Sequence, residues 1–463
     1  MSNVAGLPPE LLSRLRVLLG PEGIIVEPDR LLAYESDALT TIRGTPRAVF
    51  LPRTRDELIE TVRALHGAGI PFVPRGAGTG LAGGAVARGA ALVCTARMTR
   101  ILGIDPHERI AEVEPGVVTA TISEAAAPHG LRYLPDPASA SACTIGGNVA
   151  TNSGGPHCLK HGVTADHVLA LEAVLPDGEP IELRRGEDGG LDLAGLFLGS
   201  EGTFGIVSRI TLGLVPVPAA VGAVLSLFDR LEQAGDAVSE ILAAGAVPVA
   251  LELIDRATIT VVEGSPFATG LRTDAAAALI VECEGEAAEV VDEELGLVEQ
   301  ALRRTGAREL RVARDEVARA AIWKARKGAY GALGRLAPDI LVQDAVVPRT
   351  ALPALLPAIE RVAEEHGLRL ANFFHAGDGN LHPNLLFDGR DPDEVRRVEA
   401  ASGRIMRLCV EAGGTITGEH GIGLDKRAYM SIIFSPAELA AQVAIRGAFD
   451  PGGLCNPDKI FPA

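Results

Sequence analysis

Two textures of apolar and polar positions follow one another along this chain. From Pro46 to about Pro218, the short apolar runs AVFLP, PFVP, ALVCT and LEAVLPDG alternate with helical segments and long glycine-rich loops. Such runs, bounded by Pro and Gly, read as short strands. Helices are expected over Pro9–Leu19, from the cap residue Thr54 to His66 before Gly67 and Gly69, and over Thr119–Pro128 before Gly130. Val215-Pro216-Val217-Pro218 cannot continue a helix and marks a boundary. Beyond it, AVLSLF (223–228), VALELI (249–254), AALIVECE (277–284), ELRVA (309–313) and ILVQDAVV (340–347) read as strands. Helical patterns separate them, at Leu231–Leu242, up to Thr305 and through Trp323, and glycines stop helices near Thr305, His366 and Ala412. Strands alternating with helices predict an α+β chain, divided at 1–40, 41–218, 219–417 and 418–463.

Composition narrows the class. Of 463 residues, 47% are apolar but only 4% aromatic, so the core is built from Ala, Val, Leu and Ile. A formal net charge of -17 repels phosphate backbones and anionic lipid, which argues against nucleic-acid binding. The start MSNVAGLPPELLSRL lacks the pattern of a signal peptide, and no uninterrupted apolar stretch is long enough to span a bilayer. Six scattered cysteines without a C-x2-C run suit reduced thiols and give no iron–sulfur or structural zinc motif. A cytoplasmic protein is therefore expected, with any membrane association through a partner.

The 53 glycines and 30 prolines exceed the average usage of about 7% and 5%, and the glycines gather in loops. Pro74-Arg75-Gly76-Ala77-Gly78-Thr79-Gly80-Leu81-Ala82-Gly83-Gly84 holds a literal G-x-G-x-x-G. A Rossmann fingerprint needs a helix after it, whereas AVARGAALVCTARM reads as another strand. The loop can still converge backbone N–H groups on an anion, with a tight hairpin between two strands as the lesser alternative when it is taken alone. A second stretch follows Pro135-Asp136-Pro137 and Ser139: Thr144-Ile145-Gly146-Gly147-Asn148-Val149-Ala150-Thr151-Asn152-Ser153-Gly154-Gly155, continuing to Leu159-Lys160-His161-Gly162. A third is Gly199-Ser200-Glu201-Gly202-Thr203-Phe204-Gly205-Ile206-Val207. Three such stretches in one domain suit a dinucleotide cradle.

PRGAGTGLAGG, the PDP…TIGGNVATNSGG run and GSEGTFGIV resemble the FAD-binding domain of the vanillyl-alcohol oxidase/p-cresol methylhydroxylase (PCMH-type) flavoproteins. The order is similar to the branch with the glycolate oxidase flavin subunit, D-lactate dehydrogenase and D-2-hydroxyglutarate dehydrogenase, from about residue 40 to Asn456-Pro457-Asp458-Lys459. The resemblance implies a PCMH-type FAD domain of two α/β subdomains at 41–218, a ferredoxin-like substrate/cap domain at 219–417, and a C-terminal segment that returns to the FAD domain. It implies FAD contacts from Arg75, Gly76, Ala77, Gly78, Thr79, Gly80 and Leu81 at the pyrophosphate. Further contacts are implied from Pro135, Asp136, Ser139, Thr144, Gly146, Gly147, Asn148, Thr151, Asn152, Gly154, Gly155, His161 and Gly162, and from Glu201, Gly202, Gly205, Ile206, Val207 and Asn456. His161 stands where relatives often carry Tyr. The first loop has no His or Cys suited to covalent attachment, so the FAD is expected to be dissociable.

In the second domain, two apolar runs flank a turn in Asn372-Phe373-Phe374-His375-Ala376-Gly377-Asp378-Gly379-Asn380-Leu381-His382-Pro383-Asn384, which reads as a β-hairpin. If His375 and His382 are paired across it, they share a face with Asn384 and suit a divalent metal. Gly418-Glu419-His420-Gly421 adds a carboxylate and an imidazole in a glycine-rich loop. A pair of hydrogen-bonded histidines and an exposed Glu is the alternative left open by spacing. The resemblance implies that His375, His382 and Glu419 bind zinc or a similar divalent ion and that His420 is the base. It further singles out Arg326 of Trp323-Lys324-Ala325-Arg326-Lys327 as the carboxylate anchor, with Asn384 and His420 also at the substrate; Lys324 and Lys327 read as a solvated face. Gln343 and Asp344 have no assigned role. The expected activity is FAD-dependent oxidation of glycolate or a D-2-hydroxy acid to the 2-keto acid. D-lactate and D-2-hydroxyglutarate are the nearest alternatives. Electrons leave to an external quinone, an electron-transfer protein or an iron–sulfur partner subunit, and an oligomer is compatible with this. A flavin-dependent alkyl transferase of the same fold is disfavoured by the absence of adjacent histidines, and a non-catalytic flavin subunit by the presence of His375, His382, Glu419 and His420.

Overall fold

A computed structural model describes residues 6–186 and 190–462. It divides into two compact units, one of Met1–Gly154, Val163–Val217 and Glu419–Ala463, the other of Gly155–Gly162 and Pro218–Gly418. No helix among the described residues is long and apolar enough to cross a membrane.

The first unit holds two principal sheets. Strands β1 (Ile24–Ile25), β2 (Val49–Phe50), β3 (Phe72–Arg75) and β4 (Ala91–Cys94) take the order β1-β2-β4-β3, and β4 runs parallel to both β2 and β3. Parallel pairing needs a crossover, and the helix Arg55–Gly67 supplies one. Thr54 Oγ1 accepts from Glu57 N–H at its start, and Leu58, Val62 and Leu65 are fully buried along one face. Strands β5 (Ile101–Asp105), β6 (Ile110–Val113), β8 (Val168–Val174), β9 (Pro180–Arg184) and β10 (Ile206–Gly213) form an antiparallel sheet in the order β5-β6-β10-β8-β9, while β7 (Leu131–Arg132) pairs with β11 (Val215–Pro216). The second glycine-rich stretch is partly a helix, Ile145–Thr151, and not a loop throughout. A Cβ on Gly146 would lie 2.6 Å from Pro115 Cβ, so glycine lets this short helix pack directly on the preceding turn. The C-terminal segment joins this unit: Phe449 stacks on Phe204 at 4.6 Å, and Cys455 bridges to Phe72.

From Pro218 the second unit runs as β12 (Ala220–Phe228), helix Leu231–Ala243, β13 (Ala250–Asp255), helix Arg256–Glu263, β14 (Ala277–Gly285), helix Ala288–Arg304 and β15 (Glu309–Ala313). Its order β15-β12-β14-β13, with every neighbour antiparallel, is ferredoxin-like. Long apolar runs are explained by burial on both faces: every residue of β13 is buried. The helix expected through Trp323 runs from Glu316 to Leu333, because Ala325, Ala329 and Ala332 continue its buried face. ILVQDAVV is not one strand but two, β16 (Asp339–Val342) and β17 (Ala345–Val346), interrupted where the Asp344 carboxylate accepts from Thr417 Oγ1 and Gly418 N. Strands β18 (Arg369–His375), β19 (Asn380–Leu381) and β20 (Pro383–Phe387) complete the unit, β18 lying beside β13.

Candidate active site

In the first unit, the loop after β3 is held from several directions. Arg75 is buried, and its Nη1 donates to Ser36 O at 2.9 Å and Ala85 O at 3.4 Å. Asp37 lies in the same region, where burial pushes its carboxyl up to about 6. Lys459 Nζ donates to Val86 O at 2.9 Å, and burial pulls its amine down to about 8. Asn456 Nδ2 donates to Gly84 O at 3.1 Å and to Glu201 O at 2.6 Å. The Glu201 carboxylate accepts from Ile422 N at 2.6 Å and Gly423 N at 2.8 Å. Of the residues expected at the cofactor, Arg75, Glu201 and Asn456 thus bond protein groups that shape the loops. Asn148 Nδ2 donates to Thr119 Oγ1, and Asn152 Oδ1 accepts from Ala165 N. Ile206 and Val207 lie in the hydrophobic cores. The backbone of Gly76–Leu81 remains exposed or half-buried. His161, Gly155 and Gly162 belong to the second unit, where His161 Nε2 lies 2.6 Å from Glu284 Oε1 and Lys160 Nζ donates to Glu284 O.

In the second unit, the β18–β19 register pairs His375 with Asn380, not with His382. A four-residue turn, Ala376–Gly379, sets this register, so the two histidines are diagonal neighbours. Since side chains alternate, His375, His382 and Asn384 still share one face. Their imidazole centroids are 5.2 Å apart and nearly perpendicular, and ring nitrogens lie within 4.8 Å of one another. Both Nδ1 atoms have hydrogen-bond partners: Glu252 Oε1 at 2.5 Å for His375 and Gln343 O at 3.1 Å for His382. Each ring nitrogen of the other kind, Nε2, is the potential metal donor. Asn384 Nδ2 donates to Ala371 O and His382 O, while its buried Oδ1 has no partner among the described residues. Arg326 Nε donates to Glu252 Oε2 at 2.6 Å, and its guanidinium lies 5.0 Å from the Phe373 ring. Burial pushes the Glu252 carboxyl up, but Arg326 and His375 beside it outweigh this and hold it below its ordinary value. Glu252 and Asp344 were not singled out as site residues in the sequence. The signal available for Glu252 was a lone carboxylate inside the apolar run VALELI.

Glu419 and His420 belong to the first unit, and Glu419 directly follows Gly418. Gly418 is itself fixed by Asp344, and a Cβ there would lie 2.5 Å from Asn380 Oδ1, which restricts the position to glycine.

A family model described as FAD linked oxidases, C-terminal domain, matches residues 217–460, and one described as FAD binding domain matches residues 46–184. The chain belongs to the FAD-linked oxidases. This FAD-linked oxidase is 44% identical to the glycolate oxidase subunit GlcD of Escherichia coli (strain K12) over 440 residues, covering 94% of this chain and 87% of that one. It is 29% identical to the D-lactate dehydrogenase of Anaerostipes hadrus over 465 residues, covering 98% and 97%. Among solved structures, p-cresol methylhydroxylase with substrate bound matches with a TM-score of 0.82 at 17% identity over 98% of both chains, a likeness of fold. The PCMH-type architecture and the α+β class are thereby established.

The first unit of this FAD-linked oxidase fits a large polar cofactor. Thr144 Oγ1 is buried without a partner among the described residues, and a Cβ on Gly76 would lie 2.3 Å from it. A side chain at position 76 would therefore fill the space beside an unmet hydroxyl. Gly76→Ala is expected to lower flavin occupancy about tenfold, since overpacking costs typically 1–3 kcal/mol. The ratio of flavin absorbance to protein after dialysis measures this, and wild-type occupancy would remove Gly76 from the cradle.

Proposed function

We propose that this protein oxidises a 2-hydroxy acid, glycolate or a D-2-hydroxy acid, to the 2-keto acid, with dissociable FAD as the oxidant. The observation that carries this reading is that one face of the second unit's sheet brings together two buried histidines, an unpartnered Asn384 oxygen and an arginine. His375, His382 and Glu419 are the proposed ligands of a divalent cation, zinc first. Their donor set of two imidazoles and a carboxylate suits such an ion and leaves coordination positions open.

FAD, when bound, accepts the hydride from the substrate carbon. A divalent cation, when bound, lowers the pKa of the substrate hydroxyl. The rest falls to the chain. The Arg326 guanidinium, held through Nε, offers its terminal nitrogens as a fork for the substrate carboxylate. The His420 imidazole takes the hydroxyl proton as the C–H hydride leaves, so that alcohol becomes carbonyl with proton and hydride parted. Asn384 Oδ1 is an acceptor for a hydroxyl or water.

Regeneration of the oxidant would fall to an external electron acceptor. The E. coli relative is by its name a subunit, which supports a protein partner in that role, an iron–sulfur subunit or another electron carrier; a quinone is the other reading.

The purified yellow protein, kept anaerobic, is expected to bleach on addition of glycolate, D-lactate, D-malate or D-2-hydroxyglutarate. Absorbance near the flavin band follows the reaction, and the substrate that bleaches it fastest defines the specificity. Failure with all four would overturn the reading.

A further inference from the structure

We propose that Glu252 is a positioning residue that fixes His375 as a metal ligand and Arg326 as a carboxylate anchor through one buried carboxylate. The proposal rests on the reading just given and extends it to a residue outside the ligand set. Strand pairing places Glu252 directly opposite His375, and its side chain is fully buried. One carboxylate oxygen lies 2.5 Å from His375 Nδ1 and the other accepts from Arg326 Nε at 2.6 Å.

A carboxylate has lone pairs and no proton to give. His375 must therefore donate from Nδ1, which puts the ring in the tautomer whose Nε2 carries the lone pair that a cation needs. The same group orients Arg326. Among the described residues the guanidinium makes no other hydrogen bond, and Phe373 lies 5.0 Å from it. Phe373 and His375 point to the same face of β18, since they are two residues apart. Glu252 thus sets the separation between the proposed cation and the proposed carboxylate anchor, two points at which a 2-hydroxy acid would be held. No ring or guanidinium rotation is needed when substrate arrives, which is how preorganisation aids binding.

Glu252→Gln tests this at nearly constant shape. Its amide oxygen can still accept from Arg326 Nε, but its NH2 group then faces His375 Nδ1. The ring is driven to the Nε2–H tautomer, which cannot ligate through Nε2. The Zn2+ Kd of the FAD-loaded protein, measured by chelator competition, is expected to rise about 10- to 100-fold. KM for the best bleaching substrate is expected to rise as well, with FAD stoichiometry unchanged. An unaltered Zn2+ Kd and KM overturn the positioning role, whatever the change in melting temperature. If the variant does not fold, 15N-histidine spectra of the metal-free wild-type protein decide: Nδ1–H at His375 supports the proposal and Nε2–H overturns it. The controls are wild type and His382→Ala. Wild-type protein that takes up no Zn2+ overturns the metal reading itself, whereas wild-type uptake lost in His382→Ala but intact in Glu252→Gln overturns only the role of Glu252.

Discussion

His382→Ala protein is expected to purify yellow and to turn over at least about 10³-fold more slowly than wild type. The imidazole is 6% exposed, its Nδ1 has Gln343 O at 3.1 Å, and its ring lies 5.2 Å from that of His375. Removing it leaves one histidine on this face and takes away one of the three proposed ligands. A cation that polarises a substrate oxygen contributes several kcal/mol, and each 1.36 kcal/mol is tenfold in rate. The first unit holds the proposed flavin cradle, so flavin absorbance per protein should not change. Metal content by mass spectrometry, flavin content by absorbance and anaerobic bleaching rate check the three parts separately. Activity that survives both this substitution and exhaustive chelation would remove the metal from the reaction.

His420→Gln should slow flavin reduction about 10²- to 10⁴-fold, the range for loss of a general base. The amide keeps much of the side chain's size and hydrogen bonding but cannot take the proton at neutral pH. Because the defect lies in proton removal, it should be partly relieved at high pH, where hydroxide substitutes for the imidazole. Wild-type rate and wild-type pH dependence in this variant would assign the base elsewhere. Zn2+ binding in His420→Gln is expected to stay near wild type, which separates this residue from the proposed ligand His382.

Much of the architecture is readable along the chain because apolar runs are strands here with few exceptions. AVLSLF and AALIVECE fall within β12 and β14, and all of VALELI but Val249 falls within β13; their burial on both faces leaves little for tertiary context to override. The glycine-rich loops were legible too, but their side chains were harder to assign. Glu201 sits in the third of those loops and Asn456 in the C-terminal run, yet their side chains bond residues more than 200 positions away. The same distance hid Glu252, whose partner His375 lies 123 residues downstream, so local pattern could report only an odd carboxylate in an apolar strand. His161 reads with the FAD loops by adjacency, while its glutamate partner is also 123 residues away. The hairpin erred in register: a four-residue turn in place of a six-residue one moves His382 to the diagonal, and alternation keeps it on the same face.

The contact between Lys459 and Val86 spans 373 residues. At a synthesis rate of about 5–20 residues per second, the phosphate-loop candidate leaves the ribosome roughly 20–75 seconds before the lysine that fastens it. The second unit, made almost wholly in that interval from mostly nearby partners, is free to fold while the first waits open. Flavin loading then waits for the segment that carries Lys459, although every residue of the first glycine-rich loop has long been made.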